Sequence, residues 1–324
     1  MLIFAIESSC DETACAIVKD GREVLSNVVF SQIKTHQKFG GVVPEVAARE
    51  HLESIGPVIK ETFSQAQIKP DKIDSFASTV GPGLVGCLLV GMNAAKTLSL
   101  VHNKPFIGVN HLHAHVCANF LDSDLEPPFV CLLVSGGHTQ VIFVKDYNKQ
   151  EIAASTIDDA VGEVYDKVAR LMGLPYPGGI MLDKLAQEGN PHAFKLPEAK
   201  VNWDEFSFSG LKTALLRLTQ SFEGKEMPVR DICASFQERV SDTLIKKTLN
   251  IADKFNCKTI VCAGGVAANS ELRKKLFALN EKDYKTYAPK MKYCTDNAAM
   301  VGSCAYFNPI ICDNSLELEV FSRG

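Results

Sequence analysis

The 324-residue sequence contains no C-x-x-C pair, and its 11 cysteines are odd in number. A zinc ribbon built from paired thiolates is therefore excluded. Most cysteines, such as Cys131 in FVCLLV and Cys262 in TIVCAGG, sit inside apolar runs. Buried free thiols in a reducing compartment explain that placement better than disulfides. The start, MLIFAIESSCDE, has no basic residue ahead of its short apolar run and meets Glu7 at once, so no signal peptide is expected. An uninterrupted apolar stretch of membrane-span length is also missing. The longest, GLVGCLLVGMNAAKTLSLV, is broken by Asn93 and Lys96, which fits a buried helix. A cytoplasmic chain with no membrane association is expected. Excess positive charge is absent too: 34 Lys and Arg against 38 Asp and Glu give a formal charge of −4. Such a chain has no global attraction for nucleic acid, so RNA would have to meet a local basic patch or a partner protein. Arg217, Arg230, Lys246 and Lys247 are candidates for a patch, although scattered basic residues more commonly form a solvated helix face.

What remains is an ordinary globular composition, 46% hydrophobic and 22% charged, in a chain longer than one core usually serves. Two lobes are expected, and an internal repeat supports them. Residues 2–18 read LIFAIESSCDETACAIV and residues 129–144 read FVCLLVSGGHTQVIFV. Aligned at Ser9 and Ser135, both place a threonine four residues on, at Thr13 and Thr139, and both end in apolar strand residues. Each reads as a β-hairpin whose turn offers hydroxyls and backbone N–H groups, able to hold phosphate oxygens. Gly136 and Gly137 would let the backbone approach a ligand closely. Either turn alone is most simply a turn; their repetition, each opening an α/β segment, suggests a duplicated fold with a nucleotide between the lobes. CKTIVCAGGVAANSELRKKL reads strand, Gly-Gly turn, helix, the usual nucleotide edge of an α/β protein. PEVAAREHLESIGPVIKETF opens with Pro44 at a favoured first helical position and repeats Leu52, Ile55, Ile59 and Phe63 toward a core. The acidic, proline-containing LDSDLEPPF reads as the linker.

Three of the 8 histidines fall within VNHLHAHVCANFL. His111 and His115, four apart on a helix whose buried stripe would be Leu112, Val116 and Phe120, share a face with Cβ atoms roughly 5–6 Å apart. One metal ion could take both, or both rings could simply be hydrogen-bonded. His113 points about 200° away and is not expected to be a ligand. In the peptidase motif H-E-x-x-H the second residue is the general base. Here it is Leu112, which cannot take a proton from water.

The segments IESSCDET, GGVVPEVAAREH, GPGL, NHLHAH, LLVSGGHT, DDAVGEVYDKVARLMGLPYPGG, FSFSGLKTAL, ASFQ, GGVAANSELR and CTDNAAM follow in order over nearly the whole chain. Together they resemble the tRNA N6-adenosine threonylcarbamoyltransferases of bacterial and organellar type. That resemblance implies an actin-like, sugar-kinase-like (ASKHA) α/β fold of two duplicated RNase H-like lobes around a nucleotide cleft. Residues 1–121 would form the N-terminal lobe, completed by a C-terminal helix at about 296–324; 122–128 would be the linker and 129–295 the second lobe. The implied activity is transfer of threonylcarbamoyl from threonylcarbamoyl-AMP to N6 of the adenosine beside the anticodon, in tRNAs reading codons that begin with adenine, with release of AMP. His111, His115 and Asp296 would bind one divalent ion, iron or zinc, with a ligand in each lobe's closing elements, so that the metal lies across the cleft. On sequence alone Asp296 reads first as a helix N-cap; the resemblance is what favours the ligand role. Val134, Ser135, Gly136, Gly137 and His138 would hold the phosphate and carbamoyl region. Asp166, Gly179 and Asp183 would contact the ribose side and Asn269 the base, while Glu12 would face the substrate. No covalent nucleophile is required, because the mixed anhydride is already activated; His138 is the candidate to accept a proton. The implied partners are a catalytically degenerate paralogue as heterodimer partner and a small ATPase, with the adenylate coming from a separate synthase. Rival readings are an ATP-dependent kinase of the same fold, a metallopeptidase, and a nucleotide-binding scaffold.

Overall fold

The computed structural model describes residues 1–310 and 314–322. Its elements run β1 (Leu2–Glu7), β2 (Glu12–Lys19), β3 (Glu23–Ser31), α1 (Ile33–Gln37), α2 (Pro44–Ala66), β4 (Ser75–Gly81), α3 (Val85–His102), β5 (Phe106–Asn110) and α4 (His111–Cys117). Then come β6 (Phe129–Val134), β7 (Thr139–Asp146), β8 (Lys149–Thr156), α5 (Val161–Leu171), α6 (Gly178–Ala186), β9 (Glu205–Phe206), α7 (Ser209–Gln220) and α8 (Val229–Lys254). The chain finishes with β10 (Thr259–Ala263), α9 (Ser270–Ala278), β11 (Lys285–Tyr287) and α10 (Ala298–Phe307). Two units result: residues 1–126 with 289–324, and residues 127–288. The C-terminal helix is shorter than the span 296–324. It ends at Phe307, and residues 311–313 and 323–324 of that span lie outside the described residues.

The first unit's sheet has the order β3-β2-β1-β4-β5. β1, β2 and β3 are antiparallel neighbours, whereas β1, β4 and β5 run parallel. β4 is buried along its whole length and β1 nearly so, the signature of strands covered on both faces. Side chains alternate across such strands. Phe4, Ile6, Cys15 and Ile17 enter one core layer with Val58, Phe63 and Met92 from α2 and α3. On the opposite face α10 lies so close that a Cβ on Gly302 would stand 2.7 Å from Val18 Cγ2 and 3.5 Å from Ala5 Cβ. α3 is long and apolar enough to cross a membrane, but here it packs on β4 and α2. The α2 stripe is shifted from the one expected: Ala47, His51, Ser54, Val58 and Thr62 are its buried residues, with Ile55, Ile59 and Phe63 packed beside them. Leu52 is 66% exposed.

The second unit's sheet has the order β11-β10-β6-β7-β8-β9, in which β8-β7-β6-β10-β11 repeats the first unit's order and strand directions. The repeat extends to register. Glu7 pairs with Ala14 in the first hairpin, and Leu133 with Gln140 in the second, each 126 positions on. The two hairpins are thus one duplicated unit, as the aligned sequences suggested. All ten described cysteines are free thiols, nine of them buried; Cys312 lies outside the described residues.

In each unit the chain leaving a central parallel strand closes over the hairpin turn. Gly83 follows β4, and a Cβ there would lie 2.7 Å from Ser9 O. Gly264 follows β10 with φ +87°, and a Cβ there would lie 2.3 Å from Val134 O. At Gly264 both the left-handed backbone and the approach of a carbonyl require glycine. Gly264→Ala should destabilise the protein by about 2–4 kcal/mol through backbone strain and overpacking, read as a lower urea midpoint. An unchanged midpoint would show that this approach relaxes freely.

Candidate metal centre and nucleotide-side groups

The metal candidates converge at the end of β5. Asn110 closes that strand and caps α4, its side chain accepting from the amides of Leu112 (2.9 Å) and His113 (3.2 Å). The cap makes His111 the first helical residue and puts His115 one turn later on the same face. Asp296 stands just before α10, whose N-cap is Asn297, accepting from Met300 N at 3.1 Å. Because Asn297 takes the cap, the Asp296 carboxylate is left to face the histidines. Asp296 Oδ1 lies 3.2 Å from His115 Nε2 and 3.7 Å from His111 Nε2. The three ligand atoms all fall within 4.8 Å of one another. Ligand atoms bound to one ion at 2.0–2.1 Å stand roughly 3.0–3.4 Å apart, so this donor set fits a single divalent cation with little movement. All three residues belong to the first unit, which corrects the expectation of ligands from both lobes.

A residue missed in sequence completes the centre. Glu7, at the end of β1, is fully buried. Its Oε2 accepts from His111 Nδ1 (3.1 Å) and Thr79 Oγ1 (2.7 Å), and its Oε1 from Ser9 N (2.6 Å). A carboxylate on Nδ1 fixes the tautomer and aims Nε2 outward, the usual support of a metal-bound histidine. His115 lacks that support: its Nδ1 is buried with no partner among the described residues. A charged residue closing an otherwise apolar strand was the signal in IESSCDET that could have found Glu7.

Three carboxyl groups, those of Glu7, Glu12 and Asp296, act on one another and on His111 around this point. Burial opposes an imidazolium, yet the Asp296 and Glu7 carboxylates outweigh it and raise His111 to about 9. Burial would raise Asp296, but His111 and His115 hold it down at about 2. Burial, with Asp296 and Asp11 nearby, pushes Glu12 up to about 9. The first hairpin turn is therefore ringed by carboxylates and suits a cation better than a phosphate, which differs from the shared anion-binding role expected of both turns. His113 stands apart, its Nδ1 accepting from Asn308 Nδ2 at 3.2 Å.

The second turn has the opposite chemistry. Ser135 N donates to His138 O (2.8 Å), and His138 N donates to Ser135 Oγ (3.1 Å). Val134, the last residue of β6, is buried, and Gly136 and Gly137 are exposed, with nothing within 4 Å of where a Cβ would stand on either, while Gly162 packs against the backbone of Ser135 and Gly136. Their amides have no intramolecular partner among the described residues, so an anion can take them. The acids assigned to the ribose side carry internal work. Asp166 Oδ1 accepts from Gly178 N (2.8 Å) and Gly179 N (3.3 Å), closing the start of α6. Asp183 Oδ1 accepts from Asn269 Nδ2 (3.2 Å), Ser270 N (3.2 Å) and Ser270 Oγ (2.7 Å). Asn269 caps α9 through Leu272 N and also donates to Gln237 Oε1 at 2.9 Å. Asp183, Asn269, Ser270 and Gln237 thus form one network, of which sequence reasoning named only the first two. These groups lie past the C-terminal ends of β6 and β10, where open α/β sheets bind ligands.

Glu7→Gln keeps the volume but removes the charge and mismatches one of the three donors. We expect metal affinity to fall about 10- to 100-fold, measured by competition with a chromophoric chelator. Unaltered affinity would sink the orienting role.

Residues 23–303 match the family model for tRNA N6-adenosine threonylcarbamoyltransferase. The chain is 54% identical over 319 residues to the tRNA N6-adenosine threonylcarbamoyltransferase of Gloeothece citriformis (strain PCC 7424), covering 94% of this chain and 92% of that relative. Among solved structures it resembles T. kodakarensis HypF, with TM-score 0.64 and 14% identity over 94% of this chain and 47% of that one. It also resembles the ROK hexokinase of Thermus thermophilus, with TM-score 0.50 and 13% identity over 94% and 97%. At such identities the two structures speak for the fold alone, an actin-like and sugar-kinase-like one.

Proposed function

The chain belongs to the tRNA N6-adenosine threonylcarbamoyltransferases and is a transferase of the threonylcarbamoyl group to adenosine in tRNA; on that premise we propose how its residues divide the work. The donor is threonylcarbamoyl-AMP and the acceptor is N6 of the adenosine beside the anticodon, in tRNAs reading codons that begin with adenine. His111, His115 and Asp296 would hold one divalent ion, iron or zinc, which would supply Lewis acidity and help orient the substrate. Glu7 fixes the tautomer of His111, so Nε2 carries the lone pair at the required place. Gly136 and Gly137 offer their amides to phosphate oxygens and to charge that develops as the anhydride opens. Asp183, with Oδ1 committed to Asn269 and Ser270, has Oδ2 to accept from ribose hydroxyls; Asp166 and Gly179 shape the same side. The N6 nitrogen forms a bond to the carbamoyl carbon, the bond from that carbon to the phosphate oxygen breaks, and AMP leaves with the electron pair. His138, in the same turn as Gly136 and Gly137, accepts the proton released from N6. No covalent enzyme intermediate is needed.

The observation that carries the metal role is the convergence of two helix-borne histidines and one carboxylate, with a buried carboxylate behind the first. A peptidase would need a base next to His111, where Leu112 stands. A kinase of the same fold would transfer phosphate from ATP to an acceptor hydroxyl, and incubation with ATP and a sugar panel separates that reading from transfer directly. The protein works in the cytoplasm, with a degenerate paralogue as heterodimer partner and a small ATPase, and receives its donor from a separate synthase. With those partners, His111→Ala should lose bound metal and transfer activity together, assayed with threonylcarbamoyl-AMP and unmodified tRNA. Full modification by the metal-free variant would overturn the catalytic role of the metal. Nucleoside mass spectrometry of tRNA from cells depleted of the protein should show loss of threonylcarbamoyl-adenosine; its persistence would count against the assignment as a whole.

A further inference from the structure

We propose that His51, on α2, is a positioning residue for the metal centre, acting by holding the first hairpin turn at both ends. The inference rests on reading His111, His115 and Asp296 as metal ligands. His51 is fully buried, and both of its ring nitrogens are used on that turn. Nε2–H donates to Cys10 O at 2.9 Å, which leaves Nδ1 to accept from Thr13 Oγ1–H at 2.6 Å. Burial depresses the imidazole and keeps it neutral, as this pattern of one donor and one acceptor requires. One ring therefore clamps the turn across residues 10 to 13.

That turn touches the metal ligands through Ser9. Its amide donates to Glu7 Oε1, and its Oγ lies 3.2 Å from His111 Nδ1. From the other side Ser9 O accepts from Leu84 N at 2.8 Å and meets the close approach of Gly83. Ser9 is fixed from one side by the chain leaving β4; beyond it Gln32 N donates to Asp11 O at 3.0 Å, Glu12 and Thr13 pair with β3, and Ser54 Oγ meets Thr13 Oγ1 at 2.8 Å, while the His51 ring is the side chain that bonds both Cys10 O and Thr13 Oγ1. The duplicated hairpin provides an internal contrast. Thr139, the counterpart of Thr13, accepts from the backbone amide of Val161 at 2.9 Å, a contact that needs no particular side chain. A histidine replaces that amide in the unit that carries the metal triad.

His51→Phe keeps the ring volume and removes both bonds, while His51→Gln restores one donor and one acceptor. Metal-free full-length protein is titrated with Zn(II) alone against a chromophoric chelator, well below the melting midpoint of each variant. His51→Phe should weaken Zn(II) binding about tenfold, the low end of what outer-shell changes produce, and His51→Gln should recover most of it. A lowered melting midpoint with wild-type Zn(II) affinity would reduce His51 to a core residue and overturn the proposal. Should His51→Phe not fold, Thr13→Val removes one of the two bonds and must weaken Zn(II) in the same direction; unchanged affinity there overturns it equally. The 15N resonances of the wild-type ring supply a readout independent of any variant. A proton on Nε2 supports the clamp and a proton on Nδ1 excludes it. Wild-type protein that binds no Zn(II) would instead overturn the metal reading on which the inference stands.

Discussion

The first unit's chemistry depends on one buried contact, the carboxylate of Glu7 against Nδ1 of His111. A fully buried carboxylate is tolerated only when its oxygens are satisfied, and Glu7 meets that condition with Ser9, Thr79 and His111. Removing one partner from such a group typically costs about 3–5 kcal/mol. The arrangement therefore locks β1, β4, the hairpin turn and α4 into one position. It also decides which nitrogen of His111 is presented, and so whether the residue can be a ligand.

Around that contact the duplicated architecture has diverged in charge. Both hairpins have the same register, and both turns are overlaid by a glycine from the chain leaving a parallel strand. The first turn is surrounded by Glu7, Glu12 and Asp296, whereas the second exposes glycine amides. One backbone geometry thus presents carboxylates in one unit and glycine amides in the other. The difference lies in a handful of side chains, not in the fold.

Much of this was legible in the sequence because it is local. The hairpin repeat, the strand, turn and helix pattern after Cys257, the buried free cysteines and the shared face of His111 and His115 all follow from periodicity and spacing. Ten ordered motifs pointed to the family that the comparisons then showed. What sequence could not show depends on neighbours distant in it. Leu52 fits the helical repeat of α2 but lies outside the part of that face covered by the sheet. Asp296 looked like a helix cap, and only the helix start at Ala298 passes that role to Asn297. Asp166, Asp183 and Asn269, which their motifs present as substrate contacts, also carry hydrogen bonds to Gly178, Ser270 and Gln237 that join segments sequence leaves well apart.

The sequence by itself determined the duplicated hairpins, the helix that pairs two histidines and the replacement of a peptidase base by Leu112, since each is a matter of residue type at short spacing. Tertiary structure alone decided that Asp296 joins those histidines within one unit, that Glu7 orients one of them, and that His51 underpins the turn beside them. The reason is physical: these contacts depend on where strands β1, β4 and β5 and helices α2 and α10 come to rest. That is set by burial over the whole sheet rather than by any pattern within reach of the residues concerned.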